Sequence, residues 1–494
     1  MRISSKWLCV VLALWVAPAA AQGLDAGRAR ALIDDLLYVY APREGVPFAL
    51  ATMGEPSVDA GGGGFDVALP GLTAIFYGLG IELGDVTLHL EDAADNGIRM
   101  TAALPERADI RAPDGEPTAE LRLGSPRFAG IWDHALFAFR ELDAGAADIS
   151  IAASDGMATI TVKEFTITAA TEPSAPERWH VKSAVRMQDV SLLENESGIN
   201  IDLAGLTYRA TLSEVDLASY GAFVQATRFD PLSMWPRTDL PEELMELAAD
   251  VYDIVAIAGQ ATAFEARGLE FRDGRNFALS LSVLDMTSNW TNLAGGRVTV
   301  DSRTRMDGLA LTADEMADMA EFIPHGADLR FVASNVPVAQ VLRVIATFAS
   351  KSGTRPEEWS LEAEQAFVVE MRRLFGESGV EFRIIDSRIV ASAASAHIDA
   401  TTMIDATSAF GVVGSLTLEM AGFERVIEMA REQSRDAAEI AAVLLIVQGL
   451  GEQVTRPDGA IARRYELTVD GAGAVRLNGN DLGPLLRSLQ GRPR

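Results

Sequence analysis

The feature that most constrains this chain is the repeated pairing of Asp or Asn with Gly between segments of alternating apolar and polar residues. Asp-Gly occurs at 114–115, 155–156, 273–274, 307–308, 458–459 and 470–471, and Asn-Gly at 96–97 and 478–479. Both residues of such a dipeptide tolerate positive φ, which the tight turn of an antiparallel hairpin requires. The flanking segments carry the period of two that a half-buried strand shows. Val86, Leu88 and Leu90 alternate, as do Ile98, Met100 and Ala102; Ile149 and Ile151 lead into Asp155-Gly156, and Ile160, Val162, Phe165 and Ile167 lead away. The expected fold is α+β: long curved antiparallel sheet built from meanders, with amphipathic helices along one face or rim.

The helices are read from capping and from a period near 3.6. Leu32, Ile33, Leu36, Leu37 and Tyr40 form one face over 24–41, and Pro42 ends it. Residues 238–258 open with Pro241, Glu242 and Glu243, which suit a first turn. Thr312 and Glu315 have capping-box spacing for a helix over 312–323. Pro356 starts a helix running to Phe375, with Gly376 as its C-cap, and another spans about 423–448. The second half of that last helix, Ile440 to Val447, is apolar on all sides and is expected in a core. Gly61–Gly64 reads as a linker, Pro173 and Pro176 as a longer loop, and the chain closes on a short helix.

Residues 1–21 have the form of a secretory signal: Arg2 and Lys6, an apolar run from Trp7 to Val16, and Ala19-Ala20-Ala21 before Gln22. The expectation is export to the periplasm after cleavage, the alternative being an inner-membrane anchor left uncleaved. Cleavage removes Cys9, the single cysteine, so the mature chain folds without disulfides. No stable transmembrane span is expected in the mature chain. The remainder divides into 22–230 (a helix plus β-meander), 231–355 (middle helix and sheet) and 356–494 (C-terminal helix and sheet). With 42 Lys and Arg against 70 Asp and Glu, the net charge of −28 argues against nucleic acid as a partner.

One stretch couples both periods. In LRFVASNVPVAQVLRVI, 329–345, Leu329, Phe331 and Ala333 alternate as a strand; Asn335 and Pro337 break it; Val338, Val341, Leu342 and Ile345 then fall on one helical stripe. The same template of apolar offsets fits 121–135, 309–323, 416–430 and 475–489. With 48% apolar residues the binary pattern alone recurs by chance, so the break residues Gly124–Pro126, Gly422 and Asn478–Asn480 carry the argument. A sheet face and a helix face that are both apolar make either a closed core or, if held apart, a groove for a lipid or other apolar ligand. The candidate lining is Phe331, Val338, Val341, Leu342, Leu416, Leu418, Phe423, Val426 and Ile427.

Catalytic chemistry is not encoded in any local motif. His89, His134, His180, His325 and His397 have no metal-ligand spacing, and His134 reads as the rim of a helical face. There is no G-x-S-x-G elbow. The pairs Glu242/Glu243 and Glu357/Glu358 sit in first helical turns, where the helix dipole accounts for them. No catalytic residue, metal or cofactor is assigned. The expected function is therefore non-enzymatic: a periplasmic envelope protein binding lipid or another apolar ligand, with an envelope scaffold that retains a protein partner as the alternative. A hydrolase assembled from distant residues is the third reading.

The ending YELTVDGAGAVRLNGNDL resembles that of YdgA-type periplasmic proteins. The segment RMDGLALTADEMADMAEFI followed by ADLRFVASNVPVAQVLRVI is similar to the strand–Asn–Pro–helix units of AsmA-like envelope proteins. The resemblance covers roughly 295–345 and 410–494. It implies long curved sheets edged by helices and an association with lipid movement or outer-membrane biogenesis. It implies no catalytic residue. Those families keep an N-terminal membrane anchor, from which the cleavable signal here departs.

Overall fold

The computed structural model describes residues 23–42, 48–76, 78–227, 257–313, 319–352, 359–432, 437–456 and 459–483. The signal, residues 238–256 of the helix expected over 238–258 and the closing helix from 484 lie outside the described residues; residues 257 and 258 are not helical.

In chain order the first elements are α1 (Ala26–Val39), β1 (Phe48–Ala51), β2 (Ser57–Gly61), β3 (Gly64–Phe76), β4 (Leu79–Asp92), β5 (Ile98–Ala103) and β6 (Arg107–Arg111). Long strands follow: β7 (Pro117–Asp133), β8 (Ala138–Ala153), β9 (Ala158–Ala175), β10 (Arg178–Glu194) and β11 (Asn200–Val215). After α2 (Leu217–Thr227) come β12 (Gly259–Arg272), β13 (Phe277–Thr291), β14 (Val298–Asp307), β15 (Ala310–Ala313) and β16 (Pro324–Val336). Two helices, α3 (Val338–Ser352) and α4 (Leu361–Ser378), precede β17 (Glu381–Ala391), β18 (Ser395–Ile404) and β19 (Val412–Ala421). The last elements are α5 (Phe423–Glu432), α6 (Ala437–Leu450), β20 (Glu452–Thr455), β21 (Ile461–Val469), β22 (Val475–Leu477) and β23 (Asn480–Asp481).

All these strands join one antiparallel sheet. Among the described residues strand outweighs helix, 60% to 19%, so the class is α+β with the sheet dominant. From β8 to β12 each strand pairs with the one before and the one after it. Hydrogen bonding is continuous past residue 230, where β11 meets β12, and past 355, where β16 meets β17. Several of the turn dipeptides close hairpins as expected, whereas Asp307-Gly308 joins β14 to β15, which both pair with β13 and not with each other. At Asp155-Gly156, Gly156 N–H donates to the Ala153 carbonyl at 2.9 Å and Met157 N–H to Asp155 Oδ1 at 2.9 Å, closing β8 onto β9. Asp114-Gly115, Asp273-Gly274 and Asp470-Gly471 likewise lie between paired strands.

Several expectations are corrected. Gly61–Gly64 is the hairpin between β2 and β3, with Gly62 and Gly63 at positive φ, rather than a linker. Pro173 and Pro176 frame a tight β9–β10 hairpin, since Ala175 pairs with Arg178. The template copy at 121–135 is no strand–helix unit: β7 runs through Gly124–Pro126 as an irregularity with Ser125 at φ 47°, and His134 sits in the turn to β8. Thr312 belongs to β15, paired with Ala278, not to a helix start. Helix α4 begins at the Ser360 cap and passes through Gly376 to Gly379, whose left-handed φ of 65° lets its N–H reach the Gly376 carbonyl. The 423–448 helix is described as two, α5 and α6. In α6 Leu445, Ile446 and Leu450 are exposed rather than in a core, because its main packing is against α5 alone.

The closed core lies at the N-terminal end. Leu32 and Ile33 of α1 are buried with Val67, Val86, Leu90, Met100, Trp132 and, from α2, Val224. Asp25 caps α1 by accepting from Arg28 N–H at 2.8 Å. Asp133 is buried beside this core and accepts from Arg140 at 2.9 and 2.5 Å.

One transverse line interrupts the long strands. Asp148, Lys163, Asp189, Ala204 and Gly268 lie opposite one another with register kept one for one on both sides. Asp148, Asp189 and Gly268 are left-handed, at φ 45°, 47° and 61°. A side chain at 268 would also meet the Ala204 Cβ at 2.9 Å. The apolar phase slips by one residue at this line: Phe165 and Ile167 give way to Val162 and Ile160, and Met187 to Val190 and Leu192.

Candidate functional site

Cross-strand register builds a feature that no single segment contains. Ala146, Phe165, Met187, Leu206, Ala266, Leu284, Met306, Ala327, Ile389, Ala396 and Met420 are successive partners on β8 to β14 and β16 to β19. Every member is apolar. At about 4.8 Å between strands, this ladder runs for roughly 50 Å. A second row on the same face, two residues along each strand, carries Ile167, Val185, Tyr208, Phe264, Met286, Thr304 and Leu329. Side chains at i and i+2 share a face, so the rows form one band.

The band is open over part of its length. Met286 is 46% exposed, Leu329 39%, Phe331 42% and Ile384 36%, and these lie together on β13, β16 and β17. Helix α1 makes its main sheet contacts away from the band, on β2 and β3, whereas α4 reaches β16 and β18, where its Phe375 lies against Phe382, the ring stacked on Phe331. Burial pushes the Tyr208 phenol above its ordinary value, so part of the band is desolvated.

The opposite face is charged and internally paired toward the C-terminal half. Arg303 binds Asp328 at 2.7 and 2.5 Å, and Arg330 binds Asp301 at 3.0 and 2.6 Å. These guanidinium bonds hold both carboxyls below their usual range. Asp386, at the β17 bulge, accepts from Arg388 and His397, both at 2.9 Å, and is lowered likewise. Glu419 accepts from Arg464 at 2.8 and 2.6 Å. One face therefore presents hydrocarbon and the other ion pairs.

The nine residues expected to line a groove fall into distinct places. Phe331 and Leu416 share one cross-strand row through Ile384 and Ala400, and the row continues to Leu467 and Leu477. Leu418, on β19, is half-buried on the same face. Val338, Val341 and Leu342 are half-buried on α3, which leaves the sheet at the Ser334–Glu381 end. Phe423 and Ile427 are buried on α5, with Val426 half-buried beside them. That helix leaves at the Ala421–Ser395 end of the strands, opposite to α3. The strand residues are brought together; the two helical sets are not.

Met187, Leu206, Ala266, Leu284 and Met306 were missed by sequence reasoning. Their signal was present: each tight turn dictates which residues face each other across its hairpin, and following that register from turn to turn traces the ladder.

A recess of about 350 Å³ at the ends of β10 to β13 gathers His180, Ser213, Glu214, Gln260, Asn289 and Trp290. It holds one histidine and one carboxylate. Among the described residues no group of three or more His, Cys, Asp or Glu is placed to hold a metal ion. No described helix is long and apolar enough to cross a membrane. Comparison with protein-family models, curated proteins and solved structures gives no match to this chain.

Proposed function

We propose that this protein binds lipid acyl chains, or an apolar ligand of similar form, along the apolar band of its sheet. The observation that carries the reading is the uninterrupted apolar ladder from Ala146 to Met420, together with the exposed Met286, Leu329 and Phe331 beside it on the same face. Covering hydrocarbon on that scale is favourable by about 25 cal/mol per Å², and large exposed apolar patches on soluble proteins mark binding surfaces. The signal-like residues 1–21 and the likeness to envelope proteins support an exported, periplasmic, non-enzymatic role. Lipid extraction and native mass spectrometry after detergent-free purification test the binding. Co-purifying lipid that disappears in a folded Leu206→Asp/Leu284→Asp variant supports it; a lipid-free protein that takes up no fatty acid refutes it. N-terminal mass spectrometry of envelope fractions tests export through a mature terminus at Gln22.

A further inference from the structure

A second recess lies on the face opposite the apolar band. Strands β10, β11 and β12 present there a grid of cross-strand neighbours. Ala184, Arg209 and Ala263 form one row, Arg186, Thr207 and Glu265 the next, and Gln188, Gly205 and Arg267 the third. Arg186 and Arg209 are diagonal neighbours, as are Arg209 and Glu265. Diagonal separations of about 7–8 Å are within reach of long side chains. Around these arginines the grid is small: Ala184, Ala263, Thr207 and Gly205 leave room above the sheet. The result is a recess of about 290 Å³ whose lining includes Arg186, Gln188, Thr207, Arg209, Glu265 and Arg267.

The charge is unevenly satisfied. Glu265 is engaged by Arg267. Among the described residues Arg186 and Arg209 have no hydrogen-bonded or ion-paired partner, whereas Arg303, Arg330 and Arg464 on the same face are each held by a carboxylate. Glu164, opposite Gln188 on β9, and Asp285, opposite Glu265 on β13, flank the grid on either side. Two unpaired guanidiniums, with the Thr207 hydroxyl beside both and the Gln188 carboxamide next along β10 from Arg186, match the charge and acceptor set of a phosphate group. The recess volume, about that of ten waters at roughly 30 Å³ each, leaves space for a substituent on that phosphate.

We infer that Arg186, Arg209, Thr207 and Gln188 form a binding site for a phosphate ester, carried by a small molecule or by a lipid headgroup. This site does not depend on the apolar band, since Arg186 alternates with Val185 and Met187 and faces the other way.

Isothermal titration of the whole protein with glycerol 3-phosphate, and with inorganic phosphate, tests it. Saturable binding is expected, weakened at least tenfold in Arg186→Gln and in Arg209→Gln. Arg303→Gln, which removes a guanidinium already paired to Asp328, is expected to bind as wild type. Circular dichroism checks that these exposed substitutions leave the fold intact. Flotation with phosphatidylcholine vesicles, with and without phosphatidic acid, separates the sources. Retention only by the phosphatidic acid vesicles, lost in the Arg186→Gln/Arg209→Gln variant, assigns a lipid headgroup; binding of the soluble esters alone assigns a small molecule. No saturable binding of any probe by wild type at millimolar concentration overturns the inference. So does equal binding by the Arg186 and Arg209 variants.

Discussion

Met286 and Thr287 are adjacent on β13 and point to opposite faces, which makes them a matched pair for testing the apolar band. Met286 is 46% exposed between Phe264 and Thr304; Thr287 pairs with Ala263 and Arg303 on the charged face. Burying a whole methionine side chain is worth about 1.5–3 kcal/mol, so a ligand covering the exposed half of Met286 gains about 1 kcal/mol there. An aspartate in its place loses that gain and sets a carboxylate against hydrocarbon, at a further cost of about 1–3 kcal/mol. Met286→Asp should therefore weaken binding by about 2–4 kcal/mol, roughly 30- to 700-fold. Thr287→Asp should change it less than about threefold. The assay is displacement of a fluorescent fatty acid, with urea unfolding run in parallel; neither change should unfold the protein, since both sites are partly in water. Equal effects of the two substitutions, or no effect of Met286→Asp, would refute the argument that this face is the ligand surface.

Four further outcomes are expected. Leu32→Ala, in the closed core under α1, should cost about 2–5 kcal/mol in chemical denaturation. Asp133→Asn should destabilise by about 3 kcal/mol, because it leaves the partly buried Arg140 guanidinium without its carboxylate; Arg140→Met combined with it should recover part of that loss. Gly379→Ala should cost about 1 kcal/mol from backbone strain alone, since the φ is 65° and nothing lies within 4 Å of the added Cβ. His89 lies between Asp66 at 2.6 Å and Glu91 at 3.1 Å, and those bonds raise its pKa above the ordinary 6.5. Its stabilising contribution is complete below 6.5 and is lost as pH rises through the raised value; a His89→Asn protein should lack that alkaline-going decline in urea midpoints.

The sheet was legible because its turns are written locally. Asp155-Gly156 and Asp273-Gly274 close their hairpins with bonds made within a few residues, so no distant information is needed. The helix after Asn335 and Pro337 was legible for the same reason. What misled was local chemistry with two uses. Gly124–Pro126 could end a strand, and in β7 it is tolerated inside one because neighbouring β8 is irregular at Asp148. Thr312 and Glu315 have cap spacing, yet Thr312 is claimed by pairing with Ala278, residues earlier in the chain. The apolar band was obscured for a different reason. Its members are one per strand, and the phase slip at Asp148, Asp189 and Gly268 breaks each strand's alternation into two short runs. The nine candidate lining residues lie in contiguous segments, so they sample the helices that follow β16 and β19 and only the margin of the band.

The pairing of β8 through β12 strictly with sequence neighbours has a consequence for how such a chain can change over evolutionary time. Stability along this stretch behaves as a sum of nearest-neighbour terms, as in linear repeat proteins. Loss of one hairpin, β9 with β10, would bring β8 against β11, which run antiparallel, and would shorten the ladder by about 10 Å without exposing a new edge. Duplication of a hairpin would lengthen it by the same step. The reach of the apolar surface is thus a quantity that insertion and deletion can tune in whole hairpins, while the helices at the far end stay as they are.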